Sequence, residues 1–532
     1  HQVVTPKKPS IPPIGAGNDS PDRINQWFMI AVLCGLAWRI VRYGLHFELT
    51  GDESGIMLSV MERGYAALLE PLSYSNVSPP LFLWMTKFLD SLFQNDWAVR
   101  LIPFLAGLGA VAMFGLICRE ALDRTARWVA WAIFSVTYVP IVEGTRVKGY
   151  TIDLLVATVM LWLMLRWLLH GRKARYLVGL ALCAPVFAWL SYTAVFIIGA
   201  VGLIFTGRLV KNRFMPISAL DESERLGWPN VAAGLAFVAL ASVSAILLYE
   251  LNVRRGLQVS LRNGLADAWR QGYPPDQPWK VPFWLLTAQT GRGFAWPIGD
   301  NHFRSALTCA LWLTGLVVYW RRGNRWVWAL FVAPQVLALA AAFLHKYPYL
   351  QNPRLCMFLG PGICLFVGRG AQYLIDRMDP EKGRRLYCVT AFALAMYALG
   401  GMGRDIVLRV REVQGPGIRS TLVEASRLAG PDGQFVVLNL EHASDVSDVF
   451  AYYLKREVKQ RVWFNGQIPT QTGPGLRLAL VAVGSQISNS DGNSLLGGFE
   501  RRFGRPMKVT WSQAAHEALL DKTDSIVVWV CE

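Results

Sequence analysis

The sequence predicts a polytopic α-helical membrane protein of about eleven transmembrane helices, with a small C-terminal α/β domain outside the cytoplasm. Two observations support this fold class. Hydrophobic residues make up 53% of the 532 residues and charged residues only 17%, whereas soluble proteins carry about 25% charged residues. A bilayer-spanning helix needs roughly 20 mainly apolar residues, and the chain has eleven candidate stretches. A simple soluble enzyme, a disordered chain and a disulfide-stabilised scaffold are excluded.

The apolar stretches follow a polar N-terminal segment. Residues 1–26 are rich in proline and polar residues, which predicts a flexible cytoplasmic tail. The transmembrane module follows over residues 27–402. Its predicted spans are, in order, 27–45, 99–118, 128–142, 150–169, a hairpin of two spans within 176–206, 231–249, 305–320, 326–344, 355–374 and 386–402. Residues 80–93 are apolar but short and contain two charges, so we expect a helix lying in the membrane interface.

Short basic turns alternate with polar loops along this module. Lys and Arg collect in cytoplasmic loops, so we place the basic turns and the N-terminus in the cytoplasm. The net charge of +16 would suggest nucleic acid in a soluble protein, but here much of it orients helices, and we expect no nucleic-acid partner. Because the number of spans is odd, the C-terminal region lies on the outer face, together with the loops 46–98, 143–149, 250–304 and 345–354.

The last part of the chain, residues 403–532, changes character, and we predict a periplasmic α/β domain there. Strand-like apolar runs alternate with segments of helical spacing, which favours a small domain of mixed structure. The strand-like runs are 435–440, 478–483 and 526–530, and the helical segments are 420–428 and 445–454.

The first outer loop places two adjacent carboxylates, Asp52 and Glu53, directly after the first span. Thr50 followed three residues later by Glu53 is a capping-box pattern, so a helix start explains part of this sequence. The functional alternative is a general base, or an acid that holds a metal, at the membrane surface.

Two further outer loops combine charged and aromatic residues. The second loop contains Glu143, followed by Arg146, Lys148 and Tyr150. This pattern fits either interfacial anchoring or a phosphate clamp beside an acid. The loop before the tenth span adds Lys346, Tyr347 and Arg354. The long loop 250–304 is also basic, which suggests attraction of anionic membrane lipids or of a phosphate-bearing donor.

Carboxylates and cations are therefore expected together at one bilayer surface, a combination that suits sugar transfer from a lipid-linked phosphate. A carboxylate accepts the proton of the attacking hydroxyl, and cations or a divalent metal stabilise the departing phosphate. A single displacement would invert the anomeric configuration. Oxygen ligands from Asp52 and Glu143 would suit Mg²⁺ or Mn²⁺, although no ligand spacing in the sequence demands a metal.

The order of the motifs resembles that of the GT-C glycosyltransferases. It is more narrowly similar to the branch that contains the protein O-mannosyltransferases and the bacterial lipid A aminoarabinose transferase. The resemblance spans residues 27–402. Its motifs are Arg39 late in the first span, Asp52-Glu53, Pro79-Pro80-Leu81, Arg100-Leu101-Ile102-Pro103, then Glu143, Arg146 and Tyr150 as in bacterial lipopolysaccharide-type members, and Tyr347-Pro348 with Arg354 and Pro361.

This resemblance implies a multi-pass enzyme of the bacterial inner membrane. The implied donor is a polyprenyl-phosphate sugar, and the acceptor is a glycan, a lipid or a protein. Asp52 would be the catalytic base with Glu53 beside it, and Arg146 and Arg354 would face the donor phosphate. The aminoarabinose branch has a second acid near the start of the fourth span, where this chain has Tyr150. Either Glu143 or Asp153 would then be the second acid.

Other functions stay open from the sequence: a ligase that uses a diphosphate-linked glycan, a transporter or flippase of lipid-linked oligosaccharides, and a non-catalytic membrane assembly protein. Transporters place charges along a path at the bilayer midplane, often within repeated broken helices. Here the charges cluster at one surface and no internal repeat is evident. The sequence therefore favours an inverting glycosyltransferase that acts on the periplasmic side.

Overall fold

The computed structural model is mainly helical, and it describes most of the chain before residue 430. The described residues are 21–72, 77–214, 226–256, 269–299, 303–414, 418–430, 434–439, 449, 452–453, 455–456, 462–464, 478–484, 509–519 and 522–531. Residues 1–20 of the predicted tail lie outside this set, as do most of the predicted helical segment 445–454 and most of the loop that precedes the last strands.

The α-helices of the described residues occur in the order that the apolar stretches predict. They are α1 (Pro21–Leu45), α2 (Gly51–Glu62), α3 (Pro80–Phe93), α4 (Asp96–Ala121), α5 (Arg124–Val136), α6 (Tyr138–Glu143), α7 (Tyr150–Leu169), α8 (Arg175–Leu190), α9 (Ala194–Phe214), α10 (Trp228–Leu248), α11 (Val281–Thr290), α12 (Ala306–Arg322), α13 (Arg325–Phe343), α14 (Gly360–Ile375), α15 (Pro380–Gln414) and α16 (Ile418–Ala429). Short 3₁₀ turns and one π-helical turn, Tyr249–Val253, join them.

Eight helices of the described residues are long and apolar enough to cross a membrane. The other three predicted spans are formed by shorter helices: α5 with α6, α8, and α12. All eleven predicted spans therefore correspond to helices, and the polytopic helical fold is confirmed. The predicted interfacial helix is α3, whose bounds are those expected from the sequence.

The third predicted span is broken at Thr137, between α5 and α6. Pro140 explains the break, because a proline ring clashes with the carbonyl four residues earlier and cannot donate a hydrogen bond. That earlier residue is Val136, where α5 ends. The guanidinium of Arg39 in α1 donates to the carbonyl of Ser135, one residue before this end. A cation inside the membrane module thus caps the broken helix.

Close helix packing requires glycine at one crossing. Helices α12 and α14 pack directly against each other. A Cβ atom at Gly315 would lie 1.8 Å from the carbonyl oxygen of Phe366, and one at Gly370 would lie 2.0 Å from that of Leu311. Small residues let helix backbones approach closely in membranes, so a larger side chain at either position would force the helices apart.

Helices α1 and α15 extend past the bounds of their predicted spans. Helix α1 begins at Pro21, within the predicted tail, because the fixed backbone angle of proline suits the first helical turn. Helix α15 continues beyond the expected domain boundary at residue 403 and ends at Gln414. No proline interrupts it before the Gly415-Pro416-Gly417 sequence that follows.

The C-terminal region contains a five-stranded mixed sheet in the order β2-β1-β3-β5-β4. The strands are β1 (Gln434–Asn439), β2 (Val462–Phe464), β3 (Leu478–Gly484), β4 (Val509–Leu519) and β5 (Lys522–Cys531). β1 pairs in parallel with β2 and β3, and β5 pairs in antiparallel with β3 and β4. Helix α16 packs on strands β3, β4 and β5.

Candidate active site

The first turn of α2 places the two carboxylates of the first outer loop in different environments. The backbone N–H of Thr50 donates to Oε2 of Glu53 at 3.0 Å, which is the reciprocal half of a capping box. This start turns Glu53 inward, where it is 1% exposed, and leaves the side chain of Asp52 39% exposed. The first turn of α2 therefore carries a buried acid, Glu53, next to an acid that solvent can reach, Asp52.

Asp52 lies between cations from two other outer loops. Its Oδ2 accepts a hydrogen bond from Nη1 of Arg354 at 3.1 Å, and Nζ of Lys148 lies 3.8 Å from the same oxygen. The positive charge of Lys148, with those of Arg354 and Arg146, lowers the pKa of Asp52 below its usual value of 3.8, against the opposing effect of burial. Asp52 is therefore a carboxylate at neutral pH.

Glu53 is engaged through both carboxylate oxygens. Oε2 accepts from the backbone and the hydroxyl of Thr50 at 3.0 and 2.9 Å. Oε1 accepts from Nη2 of Arg100 at 3.1 Å and from the backbone N–H of Val147 at 2.9 Å. Arg100 also donates to the carbonyl of Phe47 at 2.6 Å. Glu53 therefore ties together the first outer loop, the start of α4 and the second outer loop.

The second outer loop carries an ion pair next to Lys148. Nη1 of Arg146 donates to Oε1 of Glu143 at 3.0 Å. Glu143 is 4% exposed, and within the described residues its Oε2 has no hydrogen-bond partner. Burial lowers the pKa of Lys148, and the charge of Asp52 opposes this effect. The loop therefore offers two cations and one buried acceptor oxygen beside Asp52.

Of the remaining predicted residues, Tyr150 contacts Arg354, whereas among the described residues Tyr347 and Lys346 do not contact the charged residues around Asp52. Tyr150, the first residue of α7, lies under Arg354, whose Cζ is 5.9 Å from the ring centroid. The hydroxyl of Tyr347 donates to the carbonyl of Leu355 at 2.8 Å, and its ring packs against Phe196. Tyr347 therefore has a packing role in this structure. Lys346 is exposed, and no contact between described residues joins its side chain to Asp52.

Asp153, the other candidate for the second acid, lies in α7 and is 8% exposed. The hydroxyls of Ser191 and Thr193, at the turn between α8 and α9, lie near its carboxylate. No direct contact between described residues joins Asp153 to Asp52, whereas Glu143 shares the second outer loop with Lys148, which contacts Asp52. Of the two candidate acids, Glu143 is therefore the one whose loop contacts Asp52.

Two supporting residues were not among the predicted site residues. Arg100, at the start of an apolar span, is 3% exposed and holds Glu53; its signal is a charge within an apolar run. Asp405 of α15 pairs with Arg42 at 2.8 Å and accepts from the indole of Trp38 at 2.7 Å. Its sequence signal is an isolated acid next to the last apolar span.

The predicted metal ligands do not gather into a metal site. In the part of the chain that the structure describes, no group of three or more His, Cys, Asp or Glu side chains could hold a metal ion. Asp52 instead contacts Arg354 and Lys148, and Glu143 contacts Arg146. These cations repel a divalent ion, so the present side-chain arrangement does not fit the expected Mg²⁺ or Mn²⁺.

Comparisons with known proteins agree with the helical architecture described above. A model of the dolichyl-phosphate-mannose-protein mannosyltransferase family matches residues 77–220, which include the second outer loop. The crystal structure of ArnT from Cupriavidus metallidurans bound to undecaprenyl phosphate is similar over 95% of this chain and 98% of that chain, with 14% identity and a TM-score of 0.54. The apo structure of ArnT has 13% identity over the same shares, with a TM-score of 0.55.

No curated protein sequence matches this chain. At 14% identity the similarity to ArnT establishes the fold. The chain has the GT-C fold, and the resemblance to the GT-C glycosyltransferases that its motifs indicate is confirmed. The family model stops short of Asp52 and Arg354 on either side, so the pairing of these two residues is an observation of the structure itself.

Proposed function

We propose that this protein is an inverting glycosyltransferase that moves a sugar from a polyprenyl-phosphate donor to an acceptor at the periplasmic face of the inner membrane. The observation that carries the proposal is the placement of Asp52, a reachable carboxylate, between Arg354 and Lys148. A carboxylate beside preorganised cations suits a displacement at a sugar carbon whose leaving group is a phosphate. ArnT, which shares the fold, was solved bound to undecaprenyl phosphate.

The chemistry follows from the charges around Asp52. As the acceptor hydroxyl attacks the anomeric carbon, Asp52 accepts its proton and the bond to the phosphate oxygen breaks. The electron pair of that bond stays on the phosphate, where Arg354, Lys148 and Arg146 stabilise it. When these cations turn to the phosphate, their hold on Asp52 weakens, and the carboxylate becomes a stronger base at the moment it is needed.

The formal charges favour an anionic ligand. Glu53 is neutralised by Arg100, so Asp52 and Glu143 are the acids that face three cations: Arg146, Lys148 and Arg354. We propose that Glu53 positions the loops and that Glu143 orients Arg146. The guanidinium of Arg354 lies over the ring of Tyr150, and this contact helps to hold Arg354 in place.

Two predicted substrate-binding residues take less direct roles in this proposal. Tyr347 shapes the wall behind the cluster through its contacts with Phe196 and the carbonyl of Leu355. Lys346 is exposed on the same loop as Arg354, where a positive charge attracts a lipid phosphate before it binds.

A turnover assay tests the proposed function. The purified full chain in lipid nanodiscs, given polyprenyl-phosphate sugars and candidate glycan, lipid or protein acceptors, should release free polyprenyl phosphate with inversion at the sugar carbon. Turnover should persist in EDTA, because we propose that Arg146, Lys148 and Arg354, rather than a metal ion, stabilise the departing phosphate. Binding of a diphosphate-linked glycan without use of any monophosphate donor would favour the ligase or the flippase. Absence of both binding and turnover would favour the assembly protein.

The orientation of the protein in the membrane is also proposed. The short basic turns favour an N-terminus in the cytoplasm, which would put Asp52 and its cations in the periplasm. A reporter that is active only in the periplasm, fused after residue 532, should be active, and the same reporter fused after Arg322 of α12 should be inactive. The opposite pattern would contradict the proposed side of catalysis.

Removal of the Arg354 side chain should weaken binding of undecaprenyl phosphate by about 10-fold to 100-fold, since a hydrogen bond to a charged group contributes about 1.5–3 kcal/mol. The measurement is the Kd of undecaprenyl phosphate for Arg354→Ala in nanodiscs. Arg321→Ala is the matched control, because Arg321 is an exposed arginine in the last turn of α12, outside the predicted donor-binding loops. Equal affinity in Arg354→Ala and the wild type would reassign Arg354 to membrane anchoring.

A further inference from the structure

A short stretch of the C-terminal region contacts the first outer loop at four points. We call Tyr452, Tyr453, Lys455 and Arg456 the clamp residues. The backbone N–H of Leu49 donates to the hydroxyl of Tyr453 at 2.9 Å, and Nη1 of Arg456 lies 2.7 Å from Oδ1 of Asp90. Tyr452 also hydrogen-bonds to Asp96, and Lys455 pairs with Glu62.

These four contacts surround the helix that carries Asp52. Leu49 directly precedes the N-cap of α2, and Glu62 is the last residue of that helix. Asp90 lies in α3 and Asp96 begins α4, the helix whose Arg100 holds Glu53. The clamp residues therefore hold α2 at both ends and also contact the two helices that follow it in sequence.

Three of the four contacts are largely shielded from solvent, whereas the Lys455–Glu62 pair is partly exposed. Tyr452 and Tyr453 are 0% and 2% exposed, and the side chains of Arg456 and Asp90 are 12% and 13% exposed. Removal of Arg456 or Asp90 leaves the other charge desolvated and without its partner. Loss of the Tyr453 hydroxyl leaves the backbone N–H of Leu49 without its acceptor. By contrast, the Arg427–Glu424 pair on α16 is 72% and 42% exposed.

We propose that the clamp residues are a positioning device for catalysis: they hold α2 so that Asp52 stays in its reactive geometry. The C-terminal domain then supports the chemical step from outside the transmembrane module. The catalytic part rests on the proposed function, whereas the restraint of α2 can be measured without any turnover. Misplacement of a catalytic group by about 1 Å costs roughly 100-fold in rate, so a loosened α2 should affect turnover strongly.

The effect should fall on kcat more than on the donor KM. The cations that face the donor phosphate come from the second outer loop and the loop before α14, and within the described residues the clamp side chains contact neither. Loss of the clamp should therefore misplace the base while leaving most of the phosphate contacts in place.

Hydrogen–deuterium exchange on the full chain tests the restraint itself. Tyr453→Phe and Arg456→Ala should speed exchange of the amides of residues 47–62 by about tenfold or more, with unchanged exchange in α12. Arg427→Ala, which breaks an exposed pair on the same domain, should leave residues 47–62 as in the wild type. Wild-type exchange in both clamp variants would overturn the proposal.

Turnover tests the catalytic part. Tyr453→Phe should lower kcat about tenfold with the donor KM within about twofold of wild type. Arg456→Asp should lower kcat likewise, and Asp90→Arg added to it should restore both kcat and slow exchange. A raised KM with unchanged kcat, or no restoration in the charge swap, would overturn the positioning role. If exchange responds as expected but the wild type transfers no sugar, the restraint stands and the proposed function fails.

Discussion

Asp52→Asn is expected to lower the rate of sugar transfer by about 10²–10⁴, the usual contribution of a general base, while binding of undecaprenyl phosphate persists. The amide keeps the size of the carboxylate but cannot accept the proton of the attacking hydroxyl. Because the variant also removes a negative charge between Arg354 and Lys148, both cations become freer to bind phosphate. The affinity for undecaprenyl phosphate should therefore stay equal to the wild type or increase.

The measurement pairs single-turnover rates with the Kd of undecaprenyl phosphate, both in nanodiscs. Asp276→Asn provides the control, since Asp276 is an exposed acid of the long loop before α11 and has no contact with Asp52. Transfer at the wild-type rate by Asp52→Asn would remove Asp52 as the base. Loss of phosphate binding together with transfer would instead indicate a structural role.

Glu53→Ala is expected to destabilise the protein by about 3–5 kcal/mol, because Arg100 is left as an uncompensated buried charge. The same change frees the backbone N–H of Val147 and the capping interaction at Thr50. The second outer loop should then lose its fixed place beside Asp52. Both stability and transfer should fall, in contrast to Asp52→Asn, which should lose transfer alone.

Denaturant unfolding in detergent measures this loss of stability. The control is Glu250→Gln, which removes an exposed i,i+4 pair with Arg254 and should cost about 0–1 kcal/mol. Replacing Glu53 and Arg100 together by apolar residues of similar size should recover part of the loss. Unfolding of Glu53→Ala at the wild-type denaturant concentration would contradict the role assigned to this buried pair.

The stabilising effect of Glu53 should also depend on pH in a defined direction. Burial alone would raise its pKa, but Arg100, Arg146 and the hydrogen bonds from Thr50 and Val147 outweigh burial and lower the pKa below the usual 4.5. A lowered folded-state pKa means that the contribution is complete above pH 4.5 and is lost as the pH falls through the folded value. The stability difference between wild type and Glu53→Gln should therefore narrow below pH 4.5.

Local features of the structure were readable from the sequence because they depend on neighbouring residues. Apolar length predicted the membrane helices, and the spacing of Thr50 and Glu53 predicted the capped start of α2, which the structure shows. The break in the third span was not predicted, although it depends on one residue, Pro140. A membrane helix is read from one continuous apolar stretch, and a capping box or a proline break from residues within about one helical turn, so these features depend on neighbouring residues.

The same locality explains what the sequence left open. It gave Asp52 and Glu53 as adjacent acids, with Asp52 chosen as the base only by the resemblance, and it offered Glu143 and Asp153 as alternatives for the second acid. The structure separates the first pair because α2 turns Glu53 toward Arg100 and leaves Asp52 toward Arg354. It separates the second pair because Asp153 faces the turn between α8 and α9. Helix direction and packing, rather than residue type, decide these roles.

By itself, then, the sequence determined a membrane protein with acids and cations gathered in the loops between its helices, since hydrophobic length and local charge are read directly from the residues. Only the tertiary structure decided which charges meet. Asp52 and Arg354 are 302 positions apart, and Leu49 and Tyr453 are 404 apart. Such contacts form only when the helices pack, because packing brings the ends of distant helices to one membrane surface, and no local pattern records which ends become neighbours.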